Sequence, residues 1–286
     1  MTRQLALEGS KHGMQVRTAA HHRLPVMTGH LPGGQSGLVI MVRATVTGRA
    51  GMQGDAVSAK VAIVTGGGGA TGRAAAMTLA GTGLTVVAVD RSEAGLRDLP
   101  DGVRPEVADT TDPAVTADVI DRIAAEVGPP DVLVNTIGAF SQGDVLSTTP
   151  EQLRLMLDVN LAPALWLSQA AARHMQRQGS GAIVHITARP GIEPTAGWAA
   201  YSVSKAALAY LTRILDVELR PHGIRVNAVA PQLIDTPANR AFVPADTLAH
   251  AVSPEAIAAV IAFLVSDAAA PVSGAILPAY GSWPTA

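Results

Sequence analysis

A tyrosine and a lysine four residues apart are the side chains in this sequence best suited to acid–base chemistry. Tyr201 and Lys205 stand in the segment YSVSK, and this spacing places them on the same face of one helix. A nearby ammonium group favours the phenolate, so it lowers the tyrosine pKa from its usual value of about 10. The pair alone decides nothing, because tyrosine and lysine occur at this spacing by chance on exposed helices.

A glycine-rich segment, KVAIVTGGGGATGRAAA at residues 60–76, is the second chemical feature. A β-branched apolar run predicts a buried strand at 61–65, and an alanine-rich helix begins near Ala70. Between them, the glycines at 66–69 allow positive φ and leave room for a ligand against the backbone. The N-terminus of the helix suits a phosphate, so a pyrophosphate is the expected occupant.

Three interpretations of this turn compete. Gly67 and Gly72 have the spacing of a P-loop, but Arg73 and Ala74 follow where that motif requires Lys and then Ser or Thr. A turn that only packs the strand against the helix is the plain structural alternative. A dinucleotide site gains support from Asp90, which ends the next predicted strand 24 residues after the first glycine. There it would accept hydrogen bonds from ribose hydroxyls and repel a 2′-phosphate.

Composition excludes several classes of protein. The chain has 286 residues, of which 48% are apolar, no cysteine and a formal net charge of −2. Disulfides and thiolate chemistry are therefore excluded, and the charge and the nine aromatic residues give no reason to expect nucleic acid. The longest apolar run, at 256–265, is too short to span a bilayer. We predict a cytoplasmic protein that acts on a small molecule, without a membrane segment or a metal site.

Residues 1–59 form a different kind of sequence. They show no sustained hydrophobic period and carry six basic against two acidic residues, whereas the remainder carries 15 basic and 21 acidic. We expect a poorly ordered extension, with a transit peptide and a true start at Met52 as open alternatives. His21, His22 and His30 fit a solvated tail better than a metal site. Residues 60–286 are then one domain.

From Lys60 onward, apolar strand patterns alternate with helical patterns, which predicts an α/β fold with a doubly wound parallel sheet of about seven strands. Further strands are predicted at 85–89, 105–108, 131–135, 182–187, 224–230 and 275–278. Longer helices are predicted at 112–127, 149–178 and 198–220 and from 253 onward, three of them opening on a Ser, Thr or Asp before proline.

In this order, the motifs resemble those of the short-chain dehydrogenase/reductase family over residues 60 to about 281. The glycine turn resembles its TGxxxGxG motif with Ala70 in place of one glycine, and YSVSK matches its YxxxK. Asn135-Thr136-Ile137-Gly138 resembles its NNAG strand end, Asn160 falls at its helical asparagine, and 231–236 resembles its loop over the nicotinamide. The resemblance implies a Rossmann-type fold and a nicotinamide nucleotide as cofactor.

The resemblance also implies roles. Tyr201 would exchange a proton with the substrate oxygen during hydride transfer, Lys205 would bind the nicotinamide ribose, and Asn160 would position a water. NAD(H) is preferred because of Asp90, and Arg91 leaves NADP(H) open. A homo-oligomer, tetramer or dimer, is usual for the family. The positions expected to contact the cofactor are Gly66, Gly68, Gly69, Ala70, Thr71, Gly72, Asp90, Arg91, Asp109, Thr110, Asn135, Thr136, Gly138, Tyr201, Lys205, Pro231, Ile234 and Thr236.

One departure from the family matters most. Its catalytic serine lies 13 residues before the tyrosine, where this chain has Ala188. Thr187 should point to the opposite face of the strand, and Ser141 is a candidate replacement. The segment 235–246 resembles dihydropteridine reductase, a family member that also lacks the serine, which suggests a quinonoid substrate. A nucleotide-binding protein without catalysis is the alternative, supported by Ala188, Ala70 and Gln232.

Overall fold

Seven parallel strands form a single sheet in the computed structural model, which describes residues 59–283. The strands are β1 (Val61–Thr65), β2 (Thr85–Asp90), β3 (Val103–Val107), β4 (Pro130–Asn135), β5 (Gly181–Ile186), β6 (Ile224–Pro231) and β7 (Ile276–Ala279). All strands except β3, which reads VRPEV, are mainly apolar runs, as the sequence pattern predicts. The predicted doubly wound Rossmann-type sheet is confirmed.

The order of the strands creates a crevice at one edge of the sheet. The order is β3-β2-β1-β4-β5-β6-β7, so the chain first winds outward from β1 and then crosses back to place β4 beside β1. At such a switch point the loops that leave β1 and β4 diverge to opposite faces. The carboxyl ends of these two strands therefore border the crevice in which an α/β sheet binds its ligand.

Helices cover both faces of the sheet, because alternate residues of each strand are buried on opposite sides. The helices are α1 (Ala70–Gly81), α2 (Glu93–Leu96), α3 (Pro113–Glu126), α4 (Pro150–Asn160), α5 (Ala162–Gln178), α6 (Ala199–Leu219), α7 (Pro237–Arg240), α8 (Ala245–Leu248) and α9 (Pro254–Val265). One core layer joins Ile63, Leu133 and Ile183 to α3, α5 and α6, and the other joins Val64 and Val134 to α1 and α9.

Side-chain caps begin four of these helices where the sequence predicts them. Asp112 accepts the Ala114 N–H at 2.7 Å, and Thr149 forms a capping box with Gln152. Ser92 and Ser253 cap α2 and α9 in the same manner. Such a cap satisfies a backbone N–H that has no partner inside the helix, which stabilises the helix by about 1 kcal/mol.

The structure corrects two predicted elements. The single helix expected over 149–178 is two helices, α4 and α5, joined at Leu161. Pro163 causes the break, because it has no N–H to donate to the fourth residue before it. The third strand begins two residues earlier than predicted, at Val103, and Pro105 is tolerated there because β3 is an edge strand.

Between residues 59 and 283, no helix is long and apolar enough to cross a membrane. The prediction of a poorly ordered extension at 1–59 lies, except for Ala59, outside the described residues.

Candidate active site

The glycine turn after β1 is held closed by contacts that only glycine permits. Gly66 has a φ of +73°, in the left-handed region, and the Gly69 N–H donates to its carbonyl at 3.0 Å. A Cβ at Gly72 would lie only 2.1 Å from the Gly66 carbonyl oxygen. The start of α1 can therefore pack against the end of β1 only with glycine at this position.

Asp90 links the same turn to the end of β2. Its Oδ2 accepts the Gly68 N–H at 3.0 Å, and its Oδ1 accepts the Ser92 N–H at 2.9 Å. A Cβ on Gly68 would approach Oδ2 to 3.0 Å, so the carboxylate lies directly against the glycine backbone. Asp90 therefore stabilises the turn through its hydrogen bonds and places a negative charge beside the crevice.

A cavity of about 340 Å³ lies in front of the α1 N-terminus, and we call it the turn cavity. The N-cap residue of α1 is Gly69, which supplies no side-chain cap, so the first N–H groups of the helix face this space. Its lining is neutral and composed of small residues, which are Gly66, Gly69, Ala70, Thr71, Gly72, Thr136, Thr236, Pro237 and Ala238. The geometry and the helix dipole suit a phosphate group.

The end of β4 connects the turn cavity to the rest of the crevice. The buried Asn135 side chain accepts hydrogen bonds from the Thr65 hydroxyl at 3.0 Å and from the Ile137 N–H at 3.1 Å. Thr136 donates its hydroxyl to the Thr65 carbonyl at 2.8 Å. A Cβ at Gly138 would lie 2.9 Å from both Asn160 Oδ1 and Lys205 Nζ. Glycine at 138 therefore allows these two side chains to approach the strand end.

Asn160, the last residue of α4, is fully buried and fully hydrogen-bonded. Its Oδ1 accepts the Ala139 N–H at 2.9 Å, and its Nδ2 donates to the Ala139 carbonyl at 3.0 Å and to the Ser204 hydroxyl at 2.9 Å. Ser204 in turn donates to the Tyr201 carbonyl at 2.7 Å. The asparagine thus fixes the loop after β4 to the first turns of α6, which carry the tyrosine.

Lys205 is buried beneath the crevice. Its Nζ donates to the Ile186 carbonyl at 3.0 Å, at the end of β5. Burial removes water from the ammonium group and lowers the pKa of Lys205 to about 8. A lysine with this pKa exchanges a proton near neutral pH more readily than an exposed one.

Tyr201 differs from the expectation based on its spacing to Lys205. Burial raises the pKa of Tyr201 to about 12, because desolvation of the phenolate is the dominant influence in this structure. The prediction that the lysine lowers the Tyr201 pKa is therefore wrong. At neutral pH the phenol keeps its proton, which is the form that donates a proton to an oxygen atom.

Ala188 follows β5 and lines a second cavity, of about 270 Å³, together with Tyr201 and Lys205. We call this the tyrosine cavity. The Thr187 hydroxyl donates to the Lys205 carbonyl at 2.8 Å, so its proton is already used. Ser141 is absent from the described residues that line the cavity. The hydroxyl that the family carries at this place therefore has no replacement in Thr187 or Ser141.

The remaining wall of the tyrosine cavity is mainly apolar, with several aromatic rings and a few neutral polar side chains. Phe140, from the loop after β4, and Trp198, just before α6, pack edge-to-face with Tyr201. Thr71 and Thr136 line both cavities, so the two spaces adjoin. The other lining residues are Gly138, Ala139, Ile186, Thr187, Pro190, Pro231, Gln232, Leu233, Ile234, Asn239 and Phe242.

Most of the predicted cofactor positions come together, while others lie outside both cavities. Gly68, Asp90, Arg91, Asp109, Thr110 and Asn135 line neither one. Asn135 is buried behind the strand end, and Asp109 accepts hydrogen bonds from Thr111, which lower the pKa of its carboxyl group. The positions at 90–91 and 109–110 lie at the carboxyl ends of β2 and β3, at the same edge of the sheet as the glycine turn.

Sequence reasoning missed a buried polar cluster behind the site. His185 on β5 lies between Ser168 of α5, at 3.1 Å, and Thr212 of α6, at 3.0 Å. Thr212 donates its own proton to the Leu208 carbonyl, so it accepts the His185 Nδ1–H, and Nε2 accepts from Ser168. Burial, aided by the nearby Lys205 charge, lowers the pKa of His185 to about 4. The imidazole is therefore neutral and joins three elements.

Comparison with known proteins identifies the family. Residues 60–247 match the sequence profile described as short chain dehydrogenase. The chain is a short-chain dehydrogenase. This family consists of oxidoreductases that generally use NAD(P)(H), and the resemblance noted in the motifs is confirmed.

Individual relatives cover similar shares of the chain. Galactitol 2-dehydrogenase of Rhizobium johnstonii is 40% identical over 239 residues, which are 76% of this chain and 91% of that protein. Cis-4-hydroxycyclohexanecarboxylate dehydrogenase of Sinomonas cyclohexanicum is 38% identical over 246 residues, 80% of this chain and 98% of that protein. The crystal structure of gox2181 superposes with a TM-score of 0.74 at 32% identity, covering 78% of this chain and 95% of that one.

Proposed function

We propose that this short-chain dehydrogenase transfers hydride between NAD(H) and a carbonyl or quinonoid small molecule, with Tyr201 as the proton donor. The observation that carries the proposal is the junction of two cavities. The turn cavity suits a pyrophosphate, and it adjoins the tyrosine cavity that holds Tyr201, Lys205 and Ala188. A bound nicotinamide would supply the hydride for the carbon of the substrate, and the chain supplies the proton for its oxygen.

The residues around the turn cavity fit a dinucleotide. In the proposed site, the backbone of Gly66, Gly69 and Gly72 receives the pyrophosphate, because their missing Cβ atoms let the turn pack tightly against the start of α1, whose first N–H groups face the turn cavity. Asp90 receives the adenosine ribose and disfavours a 2′-phosphate, which is the basis for preferring NAD(H) over NADP(H). Asp109 and Thr110 border the adenine, and Ile234 and Thr236 close over the nicotinamide side.

Tyr201 and Lys205, both on α6, have different roles in the acid–base chemistry. Tyr201 donates its phenolic proton to the substrate oxygen during reduction and accepts it back during oxidation. Lys205 binds the nicotinamide ribose and lines the same cavity as the phenol. Asn160 positions the loop after β4 and takes part in a proton relay through an ordered water. The buried Ser204 ties this asparagine to the tyrosine backbone.

Ala188 restricts the classes of substrate that the enzyme reduces efficiently. A hydroxyl at this place would share the developing oxyanion with the tyrosine, and one such donor is worth on the order of 2.7–4 kcal/mol in the transition state. An alanine there handicaps the reduction of simple ketones. Conjugated or quinonoid acceptors need less local support, because their charge spreads over a π system. The resemblance of 235–246 to dihydropteridine reductase favours the same class.

The first experiment follows NADH oxidation with a panel of simple ketones, quinones and a quinonoid dihydropterin. We expect turnover, fastest on the conjugated acceptors. Tyr201→Phe should lower kcat by about 10²- to 10⁴-fold, the usual contribution of a general acid, while NADH binding measured by fluorescence is nearly unchanged. Tyr210→Phe, which alters an exposed tyrosine of the same helix, is the matched control and should leave kcat and NADH binding unchanged.

Ala188→Ser tests the reason for this substrate preference. The added hydroxyl should raise simple-ketone reduction at least about tenfold relative to quinonoid reduction. NADH binding without turnover on any acceptor would contradict the proposed function and indicate a nucleotide-binding protein. Rapid ketone reduction by the natural chain, unchanged by Ala188→Ser, would show that another donor replaces the serine.

A further inference from the structure

Aromatic side chains are concentrated around the tyrosine cavity. The whole chain has nine aromatic residues, three each of Phe, Trp and Tyr. Four of them, Phe140, Trp198, Tyr201 and Phe242, line this one cavity. They come from three separate segments of the chain, because Trp198 and Tyr201 both stand at the start of α6, and the fold brings these three segments together.

Three of these rings form a mutually perpendicular cluster. The ring centres of Phe140 and Tyr201 are 5.0 Å apart with planes at 78°, and those of Phe140 and Trp198 are 5.1 Å apart at 86°. Trp198 and Tyr201 are 6.4 Å apart at 76°. Such edge-to-face packing fixes each ring, and aromatic surfaces of this kind favour another flat ring by stacking or by an edge contact. Phe140 is still 43% exposed, so part of its surface is available.

Charge is nearly absent from the cavity wall. Among the described lining residues, the only ionisable side chains are Tyr201 and Lys205, and the lysine is buried against the Ile186 carbonyl. Next to Ala188 in the chain, Arg189 is neutralised by Glu193, which also accepts a hydrogen bond from Tyr280 at 3.0 Å. A substrate carboxylate or phosphate would therefore lose its water in this cavity without gaining a partner.

Three neutral polar side chains of the wall are already engaged, and among the described lining residues Thr71 and Gln232 remain, besides Tyr201 and Trp198, as neutral polar side chains without such a hydrogen bond. Thr136 and Thr187 donate their hydroxyls to backbone carbonyls, and Asn239 donates its Nδ2 to the Ile234 carbonyl at 2.7 Å. A molecule with many hydroxyl groups would meet few free partners, and each unpaired group costs free energy on burial. The wall thus disfavours sugar alcohols as well as acids.

We infer that the tyrosine cavity selects an uncharged, planar ring compound, an aryl or ring-conjugated carbonyl, and that Phe140 and Trp198 determine this specificity. The inference rests on the proposed function and refines its substrate class. An apolar cavity of about 150 Å³ accommodates benzene. The cavity here, of about 270 Å³, is lined both by positions expected to contact the cofactor, such as Gly138 and Pro231, and by the aromatic rings, against which a substituted ring would lie beside the phenol of Tyr201. The ring carbonyl takes up one hydride and one proton and becomes a secondary alcohol, while the reduced nicotinamide is oxidised.

Three matched ketones test the selectivity. We would measure kcat/KM with NADH for 1-tetralone, which is a neutral aryl ketone, for 4-oxocyclohexanecarboxylate, which adds a charge, and for the polyhydroxylated ketose D-tagatose. The tetralone value should exceed each of the other two at least about tenfold, because burying a polar group without a hydrogen-bond partner costs free energy. Equal or faster turnover of the carboxylate or the ketose would overturn the inference while the proposed oxidoreductase function stood.

Variants of the aromatic wall test the residues. Phe140→Leu and Trp198→Leu should each lower kcat/KM for tetralone by about 3- to 10-fold, mainly through KM, and Phe140→Tyr should restore it. Phe263→Leu changes an exposed phenylalanine on α9 and should have no effect. Circular dichroism and NADH binding identify any variant that fails to fold. No change in KM in folded Phe140→Leu and Trp198→Leu would contradict the assignment.

A binding measurement separates this inference from the proposed function. Calorimetry with tetralone in the presence of NAD⁺ reports the ring site without any turnover. Binding that weakens in Phe140→Leu but not in Phe263→Leu supports the ring site even if no ketone is reduced, and only the proposed function then fails. Absence of binding in the natural chain would overturn the ring site itself.

Discussion

At the scale of single residues, Asp90 combines a structural task with an electrostatic one. Its two carboxylate oxygens accept backbone N–H groups of Gly68 and Ser92, which holds the glycine turn to the end of β2. The same charge lies where the ribose of a bound nucleotide is proposed to lie. Arg91, its exposed neighbour, offers a guanidinium group that suits a 2′-phosphate. The balance between these neighbours should set the choice between the two nicotinamide nucleotides.

Asp90→Ala should therefore raise the affinity for NADPH relative to NADH by about tenfold or more, because it removes the repulsion and leaves Arg91 in place. It should also lower the melting temperature, since two backbone N–H groups lose their acceptor. Fluorescence titration with both nucleotides gives the ratio. Asp101→Ala removes an exposed carboxylate after α2 and controls for net charge. An unchanged ratio would mean that Asp90 is only a turn residue.

At the scale of elements, the join between β1 and α1 depends on one close contact. A methyl group at Gly72 would lie 2.1 Å from the Gly66 carbonyl, whereas one at Gly81, the last residue of α1, would meet nothing within 4 Å. Gly72→Ala should lower the free energy of unfolding by about 1–3 kcal/mol, the usual cost of overpacking, and should weaken nucleotide binding. Gly81→Ala should be neutral or stabilising by up to about 1 kcal/mol. Similar results for the two variants would show that the turn has room to adjust.

The His185 cluster joins β5 to α5 and α6, and its protonation should be visible in stability. The folded pKa of about 4 lies below the usual histidine value of 6.5, so between these pH values the unfolded chain binds a proton that the folded chain does not. The free energy of unfolding therefore rises with pH through this window. The stabilisation that the neutral imidazole contributes is lost as the pH falls from 6.5 toward 4. The slope is at most about 1.4 kcal/mol per pH unit.

His185→Gln removes the titration and keeps a donor and an acceptor. Denaturant unfolding between pH 4.5 and 7 should show that the advantage of the natural chain over this variant shrinks as the pH falls. His222→Gln, in an exposed turn after α6, should leave unchanged the slope of the free energy of unfolding against pH. A difference that is constant over the whole range would mean that His185 does not titrate as its burial implies.

Elements that local chemistry determines were predictable, and those that depend on distant packing were not. Proline and cap residues placed the starts of α3, α4 and α9, and β-branched runs placed the strands. The aromatic cluster was missed because Phe140 and Trp198 lie 58 positions apart, in loops without a periodic pattern. The pKa of Tyr201 was misjudged for a similar reason, since spacing reveals the neighbouring lysine but gives no measure of burial.

At the scale of the whole molecule, α6 presents an apolar stripe on its outer face. Val203, Tyr210, Ile214 and Val217 follow helical spacing, and their exposed fractions are 54%, 66%, 39% and 73%. Leu155 on α4, a helix in contact with α6, is 55% exposed. Contiguous apolar surface of this kind marks a site of association, and a second copy of the chain as the partner agrees with the homo-oligomer that is usual for the family.

We expect the natural chain to sediment as a dimer or tetramer at micromolar concentration. The double variant Tyr210→Glu/Val217→Glu should shift it toward the monomer, because two carboxylates would be buried without partners in the interface. The matched control is Met77→Glu/Val115→Glu, which places the same charges on half-exposed apolar positions of α1 and α3. A natural chain that is monomeric, or a control that dissociates as fully as the α6 variant, would contradict this interface. If only the α6 variant dissociates while it still binds NADH, the stripe serves assembly and the nucleotide site is complete within one subunit.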